Sequence, residues 1–249
     1  MAQQATAPPL PGAVGVTHLK VYDTRAPDGL VGGSPHLHFA CTEAYMVLAG
    51  RGAVQTLGAG GFEELPLEPG RLLWFTPGLI HRLINLDGRL EILVLMQNAG
   101  LPEAGDFVLT FPPEVLADER AYFDAASLAP SGHVYTSSLE AARRRRDLAV
   151  DGFAVLCRRY EERGAAVLEE FYRAAARLVQ PKLDAWRDVW ERGPLAAARQ
   201  TGDQLDALRR GRLDHLLDGA IYELPAPGED RRLGVCGTLG VYLPEGIPQ

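Results

Sequence analysis

Between residues 17 and 97 short apolar runs alternate with turn-forming glycines and prolines. THLKVYD (17–23) repeats apolar and polar positions with period two, as a strand with one buried face does. AYMVLAG (44–50) and AVQTL (53–57) flank Gly50-Arg51-Gly52, and HRLIN (81–85) and LEILVLMQ (90–97) flank Asp87-Gly88. Both junctions predict tight hairpins. RLLWFTP (71–77) follows Pro69-Gly70 and reads as a further strand. ILVLM (92–96) is apolar at successive positions. This predicts a strand covered on both faces, by the interior and by a second layer from the helical segment or a partner subunit. Strands this short and this closely punctuated indicate a sandwich or barrel.

The period changes near residue 137. Ser137 and Glu140 stand at capping-box spacing. Val167, Leu168, Phe171, Ala175, Leu178 and Val179 form one helical stripe. Pro181 interrupts, and Leu183, Trp186, Val189 and Trp190 resume the helical spacing. Leu205, Leu208, Leu213, Leu216 and Leu217 follow. Three to five helices are expected between about residues 138 and 218. IYELP and RLGVCGTLGVYLP then return to strand character. The organisation expected is an N-terminal arm at 1–14, a β-barrel at 15–130, a helical segment at 131–218, and C-terminal strands at 219–249 that rejoin the barrel.

Composition narrows the class. A chain of 249 residues, 47% hydrophobic, buries a sizeable core without disulfides. Its three cysteines, Cys41, Cys157 and Cys236, are far apart, as in a reducing compartment. The opening MAQQATAPPLPG has neither the basic nor the apolar region of a secretion signal, and no apolar run is long enough for a membrane span. A cytoplasmic protein is expected, with no membrane partner. The net charge of −7 opposes nucleic-acid binding. The run Arg143–Arg146 lies in a segment, 139–218, with about 16 basic and about 14 acidic residues, so it is expected to be a solvated, salt-bridged helix face.

The candidate chemistry lies in PHLHFACTEAY and TPGLIH. His36 and His38 are two apart and share one face of a strand. Glu43 is at odd separation from both, so residues 39–42 must bend for it to join them. His81 follows Pro77-Gly78. Three imidazoles and a carboxylate are a donor set for Fe, Mn, Ni, Cu or Zn.

HLHFACTE, with Gly50 following, resembles the first motif of the cupin superfamily. GRLLWFTPGLIHRLIN resembles the second, with Gly70, Gly78, His81 and Asn85 in its places. Thr76 stands where the family usually has proline, and Leu30 where it has glycine. The resemblance covers roughly residues 15–100. It implies a mainly β, cupin-like double-stranded β-helix (jelly-roll) barrel, here with an α-helical extension. It also implies that His36, His38, Glu43 and His81 bind one divalent transition metal, Fe or Mn being favoured.

Four protein ligands leave about two octahedral positions for water, O₂ or a chelating substrate. The function expected is a metal-dependent cupin acting on a small polar organic molecule, foremost as a dioxygenase-type oxidoreductase. The alternatives are a Lewis-acid isomerase or epimerase on a sugar or hydroxy acid, and a non-catalytic small-molecule binder. A homodimer is expected by analogy with cupins that pair through their sheets.

Tyr45 and Asn85 are the candidate catalytic residues that orient substrate. Tyr45 reads equally as a barrel-core aromatic, and Asn85 as a cap of the turn before Asp87-Gly88. His18, His133 and His215 read as structural or surface residues, Cys41 as a small residue in the bend, and Arg82, opposite His81 by alternation, as a surface residue. Trp186 and Trp190 read as core packing, with a lid over the barrel mouth as the functional alternative.

Overall fold

The computed structural model describes residues 8–129 and 138–242. Ser137 and His133 lie outside them. Eleven strands form two antiparallel sheets. The first sheet has the order β10-β11-β1-β8-β3-β6, from Arg232–Leu233, Gly237–Tyr242, Gly15–Val21, Glu91–Met96, Glu43–Ala49 and Leu72–Phe75. The second has the order β5-β4-β7-β2-β9, from Gly61–Leu67, Gly52–Gly58, Ile80–Asn85, His36–Leu37 and Val108–Leu109. Their inner faces meet in an apolar core containing Leu19, Val47, Val54, Leu57, Leu83 and Ile92, all nearly inaccessible to solvent.

The two glycine-marked junctions are not hairpins. β3 pairs with β6 and β8, whereas β4 pairs with β5 and β7. Gly50-Arg51-Gly52 therefore carries the chain from one sheet to the other, and Asp87-Gly88 carries it back between β7 and β8. The two crossings pack on each other. Leu86 N–H donates to the Arg51 carbonyl at 3.0 Å. A Cβ on Gly50 would lie 2.3 Å from the Arg89 carbonyl oxygen, and φ there is +75°. The local glycine chemistry was legible, but the partner of each strand is set by sheet pairing across the core. A tight hairpin does form at β4–β5, closed by Gly58 opposite Gly61.

β8 alternates more than its sequence suggests. Ile92, Val94 and Met96 face the core, while Leu93 and Leu95 are half-buried on the outer face. There Leu93 borders a groove with Pro9, Leu10, Tyr222 and Leu224. β11 adds to the first sheet beside β1, with His18 opposite Gly240.

The helices α1 (Pro113–Leu116), α2 (Glu119–Ala126), α3 (Ser138–Arg163), α4 (Ala166–Val179), α5 (Leu183–Trp190), α6 (Ala196–Arg209) and α7 (Asp214–Leu217) lie between β9 and β10. In α4 the six residues of the expected stripe are the six that are buried. Pro181 sits in a 3-10 turn, Gln180–Lys182, which joins α4 to α5. No helix among the described residues is long and apolar enough to cross a membrane.

The arginine run is only half solvated. Arg143 and Arg144 face water, but Arg145 and Arg146 are buried. Arg146 donates to the carbonyls of Thr24 at 2.7 Å and Arg25 at 2.9 Å, and Arg145 to that of Gly234 at 2.6 Å. Helical periodicity turns two of four consecutive residues toward the strands, where loop carbonyls meet Arg146 and the terminal nitrogens of Arg145, while Arg145 Nε is left without a partner among the described residues. Arg82 departs from expectation in the same way. It does point away from His81, but the 24–34 segment covers that face, and Arg82 is 1% exposed. It pairs with Asp28 and donates to the Gly33 carbonyl at 3.3 Å.

Candidate metal centre

The chain crosses between sheets inside the first motif, and this is why Glu43 reaches the histidines despite its parity. His36 belongs to the second sheet and Glu43 opens β3 of the first. The intervening bend is held by Asp106, which is fully buried and whose carboxylate accepts from Phe39 N–H at 2.9 Å and Ala40 N–H at 3.2 Å. His81 stands directly opposite His36 across the β2–β7 ladder. Gly78 N–H donates to the His38 carbonyl at 2.9 Å, joining the turn before His81 to the bend after His38.

One ligand atom from each of His36, His38, Glu43 and His81 lies within 4.8 Å of every other. All four side chains are buried. The imidazoles share one tautomeric arrangement. Nδ1 of His36 faces the Ser34 carbonyl at 3.0 Å, that of His81 the Leu79 carbonyl at 3.1 Å, and that of His38 the Asp106 carbonyl. A carbonyl only accepts, so each Nδ1 carries a proton and, in the neutral ring, each Nε2 presents a lone pair. His81 Nε2 is 3.1 Å and His38 Nε2 is 3.4 Å from Glu43 Oε2. Both Glu43 Oε2 and His81 Nε2 are buried with no hydrogen-bond partner among the described residues. Acceptors facing acceptors in a closed interior cost about 1–3 kcal/mol each. A cation between them removes that cost, and the donor set fits a divalent transition metal.

Protons would otherwise serve in place of that cation: burial lowers His38, but a hydrogen bond to Glu43 and the Glu43 charge raise the ring above its ordinary value. Burial alone would raise the Glu43 carboxyl, but the His38 and His81 rings outweigh it and hold Glu43 well below the usual carboxylate range. Burial, with His81 and His38 adding to it, pushes His36 well below its ordinary value and keeps it neutral. Burial and the Glu43 charge raise the Tyr45 phenol well above its own.

The candidate residues fall into different places. Tyr45 is inside the core, with its ring centroid 6.3 Å from that of His81 and 5.2 Å from that of Phe75. Asn85 is buried, but its amide donates to the Val21 carbonyl at 3.2 Å and its oxygen accepts from Leu90 N–H at 3.1 Å. Those bonds brace the crossing from β7 to β8. His18 faces outward against Glu91 at 2.7 Å. Cys41 is a buried residue of the bend. Trp186 is buried and donates to the Ala104 carbonyl at 3.0 Å, on the loop that also carries Asp106.

Three neighbours escaped the sequence reading. Phe75 packs 4.3 Å from the His81 ring, centroid to centroid. Asp106 supplies both the carbonyl for His38 and the carboxylate for the bend. Cys236, from the C-terminal strands, places Sγ 3.9 Å from His36 Nδ1. Neither periodicity nor motif spacing marks Asp106 or Cys236, because chain pairing 67 and 200 residues away brings them there.

No protein-family model and no curated protein matches the chain. Among solved structures, it is similar to an oxalate decarboxylase from Bacillus subtilis, at 18% identity over 37% of this chain and 19% of that one, with a TM-score of 0.25. It is similar to an oxalate oxidase at 27% identity over 28% of this chain and 36% of that one, with a TM-score of 0.25. It is similar to a TDP-fucose-3,4-ketoisomerase from Campylobacter jejuni at 12% identity over 37% of this chain and 64% of that one, with a TM-score of 0.31. The chain thus spans less than two thirds of each of these proteins, and the likeness is too partial to bear on chemistry.

Proposed function

We propose that this cupin-fold chain, whose two antiparallel sheets enclose a histidine–glutamate quartet, holds one divalent transition metal and acts on a small polar organic molecule as a dioxygenase-type oxidoreductase. The observation that carries this reading is the convergence of imidazole Nε2 lone pairs on an ionised Glu43, every Nδ1 being committed to a carbonyl. Three imidazoles with one carboxylate serve several such metals, of which iron and manganese suit the oxygen chemistry proposed here. Bound there, such a metal supplies Lewis acidity and redox capacity at positions the protein leaves open.

The chain's own residues set the conditions. Glu43 stays anionic and offsets part of the cation's charge. Phe75 and Phe107 wall the imidazoles with hydrocarbon, Phe107 lying 6.3 Å from His36 by ring centroids. Water is thereby excluded, which suits chemistry with reactive oxygen species. Tyr45 keeps its proton, so it serves as a hydrogen-bond donor and not as a base.

Elemental analysis of protein purified without chelator, with oxygen uptake followed on the same sample, tests the reading. Diols, hydroxy acids and catechols form the substrate panel. Near-stoichiometric iron or manganese with substrate-dependent uptake supports it. Bound metal without uptake transfers the assignment to isomerase or binding chemistry. No metal after reconstitution overturns it.

A further inference from the structure

The helical segment meets the candidate metal centre at the loop between β8 and β9, residues 97–107. This loop folds on itself. Ala104 N–H donates to the Gly100 carbonyl at 2.9 Å, Gly105 N–H to that of Pro102 at 3.0 Å, and Asp106 N–H to that of Leu101 at 3.0 Å. It also grips the bend between His38 and Glu43. Gln97 N–H donates to the Thr42 carbonyl at 2.9 Å, and the Asn98 amide to the Ala40 carbonyl at 2.9 Å. Asp106 accepts from Phe39 and Ala40 N–H, and its own carbonyl accepts from His38 Nδ1. Where His38 and Glu43 stand is therefore set by where this loop stands.

A loop places functional groups only as well as its scaffold holds it. Here α5 holds it from outside. Trp186 is the buried residue of α5. Its indole N–H donates to the Ala104 carbonyl at 3.0 Å, two residues before Asp106. An indole has no other donor, so this bond orients the ring against the loop. Val189, on the same helical face, packs over Gly100. A Cβ on Gly100 would lie 2.6 Å from Val189 Cγ1, and φ there is +97°. Asp184, Arg187 and Asp188 face water, so the loop side is the face that α5 buries.

We infer that α5 is a positioning support of the metal centre: Trp186 and Val189 hold the 97–107 loop so that Asp106 keeps His38 and Glu43 together around one cation. The inference rests on the metal reading of the quartet. Trp186 acts through Asp106, and the helical segment thereby gains a task in the site that neither motif carries.

Trp186→Phe keeps an aromatic ring and removes the indole donor. Tyr160→Phe is its control, since Tyr160 on α3 donates in the same manner to the Ala59 carbonyl at 2.8 Å, on the β4–β5 hairpin. Both are compared with the wild type as full chains. One readout is manganese(II) affinity by competition with a chelator. The other is exchange of the His38 Nδ1 proton in the metal-free chain, followed by nuclear magnetic resonance. Trp186→Phe is expected to bind manganese about tenfold more weakly, the lower end of the range for supporting groups, and to exchange the His38 proton faster. Tyr160→Phe is expected to match the wild type in both. Either readout unchanged in Trp186→Phe overturns the inference, as does a Tyr160→Phe variant weakened to the same degree. A wild type that takes no metal overturns the quartet reading instead, and the His38 exchange rates then decide by themselves whether α5 supports that ring.

Discussion

Two of the buried polar constellations among the described residues are built on opposite principles. Around Arg82 and Arg146 the donors are matched. Arg146 meets the Thr24, Arg25 and Gly32 carbonyls, and Arg82 meets Asp28 and the Gly33 carbonyl. At the quartet, Glu43 Oε2 and His81 Nε2 face one another with no donor between them. Interiors ordinarily satisfy their polar groups. The matched cluster therefore reads as architecture, pinning the 24–34 segment over the second sheet. The unmatched one has a donor set that could hold a cation.

That contrast can be broken from either side. The largest effect expected is on metal content. His36→Ala and His81→Ala each lose stoichiometric metal by elemental analysis while the far-ultraviolet circular dichroism stays native. Retention of full occupancy in both would place the metal elsewhere. Arg146→Ala does the reverse. It strands several carbonyls and is expected to cost about 3 kcal/mol in urea unfolding, while the folded fraction keeps its metal.

Asp106→Ala lies between these two. It removes the acceptor for Phe39 and Ala40 N–H, loosening the bend between His38 and Glu43. Metal affinity is expected to weaken about 10–100-fold, the usual range for supporting groups, measurable by competition with a chelator.

Acid should separate the two constellations in sequence. Protons compete with metal for the imidazoles, so metal is released on mild acidification. The Arg82–Asp28 pair persists to lower pH. Burial works against the Asp28 carboxylate, but the Arg82 hydrogen bond and charge prevail and lower it from 3.8. A lowered carboxyl contributes stability above 3.8 and loses it as pH falls through the folded-state value. Asp28→Asn should flatten that lower part of the pH–stability curve and leave the metal-release step in place.

The smallest effect expected is at Tyr172, which donates to the Gly78 carbonyl at 2.9 Å on the turn before His81. Tyr172→Phe should cost about 1 kcal/mol in urea unfolding, with full metal occupancy.

The sequence was most legible where one element carries the signal. The strand segments of the first half are strands, and α4 buries the stripe that its spacing marks. His36, His38, Glu43 and His81 were implied as ligands by the resemblance to the cupin motifs, and their ligand atoms do come together. Legibility failed wherever a residue's environment is supplied from elsewhere. Arg82 alternates as expected but is covered by a segment some 50 positions earlier, and its Nε bonds Gly33 at a separation of 49 residues. Asn85 falls on a motif position, yet its amide is spent on the Val21 carbonyl. The glycine junctions at Gly50 and Gly88 looked like hairpins because turn chemistry is local, whereas strand partners are not.

The amino-acid order by itself determined the strand and helix periods and the turn positions, with the four candidate donors implied by the motif resemblance. These follow from backbone geometry over a few residues. The tertiary structure alone decided that Glu43 crosses to the opposite sheet and still meets the histidines. It decided that Asp106 holds the bend, that carbonyls fix every imidazole's tautomer, and that the α5 indole meets the loop carrying Asp106. Each of these depends on contacts between distant segments, and only the packed sheets and helices create them.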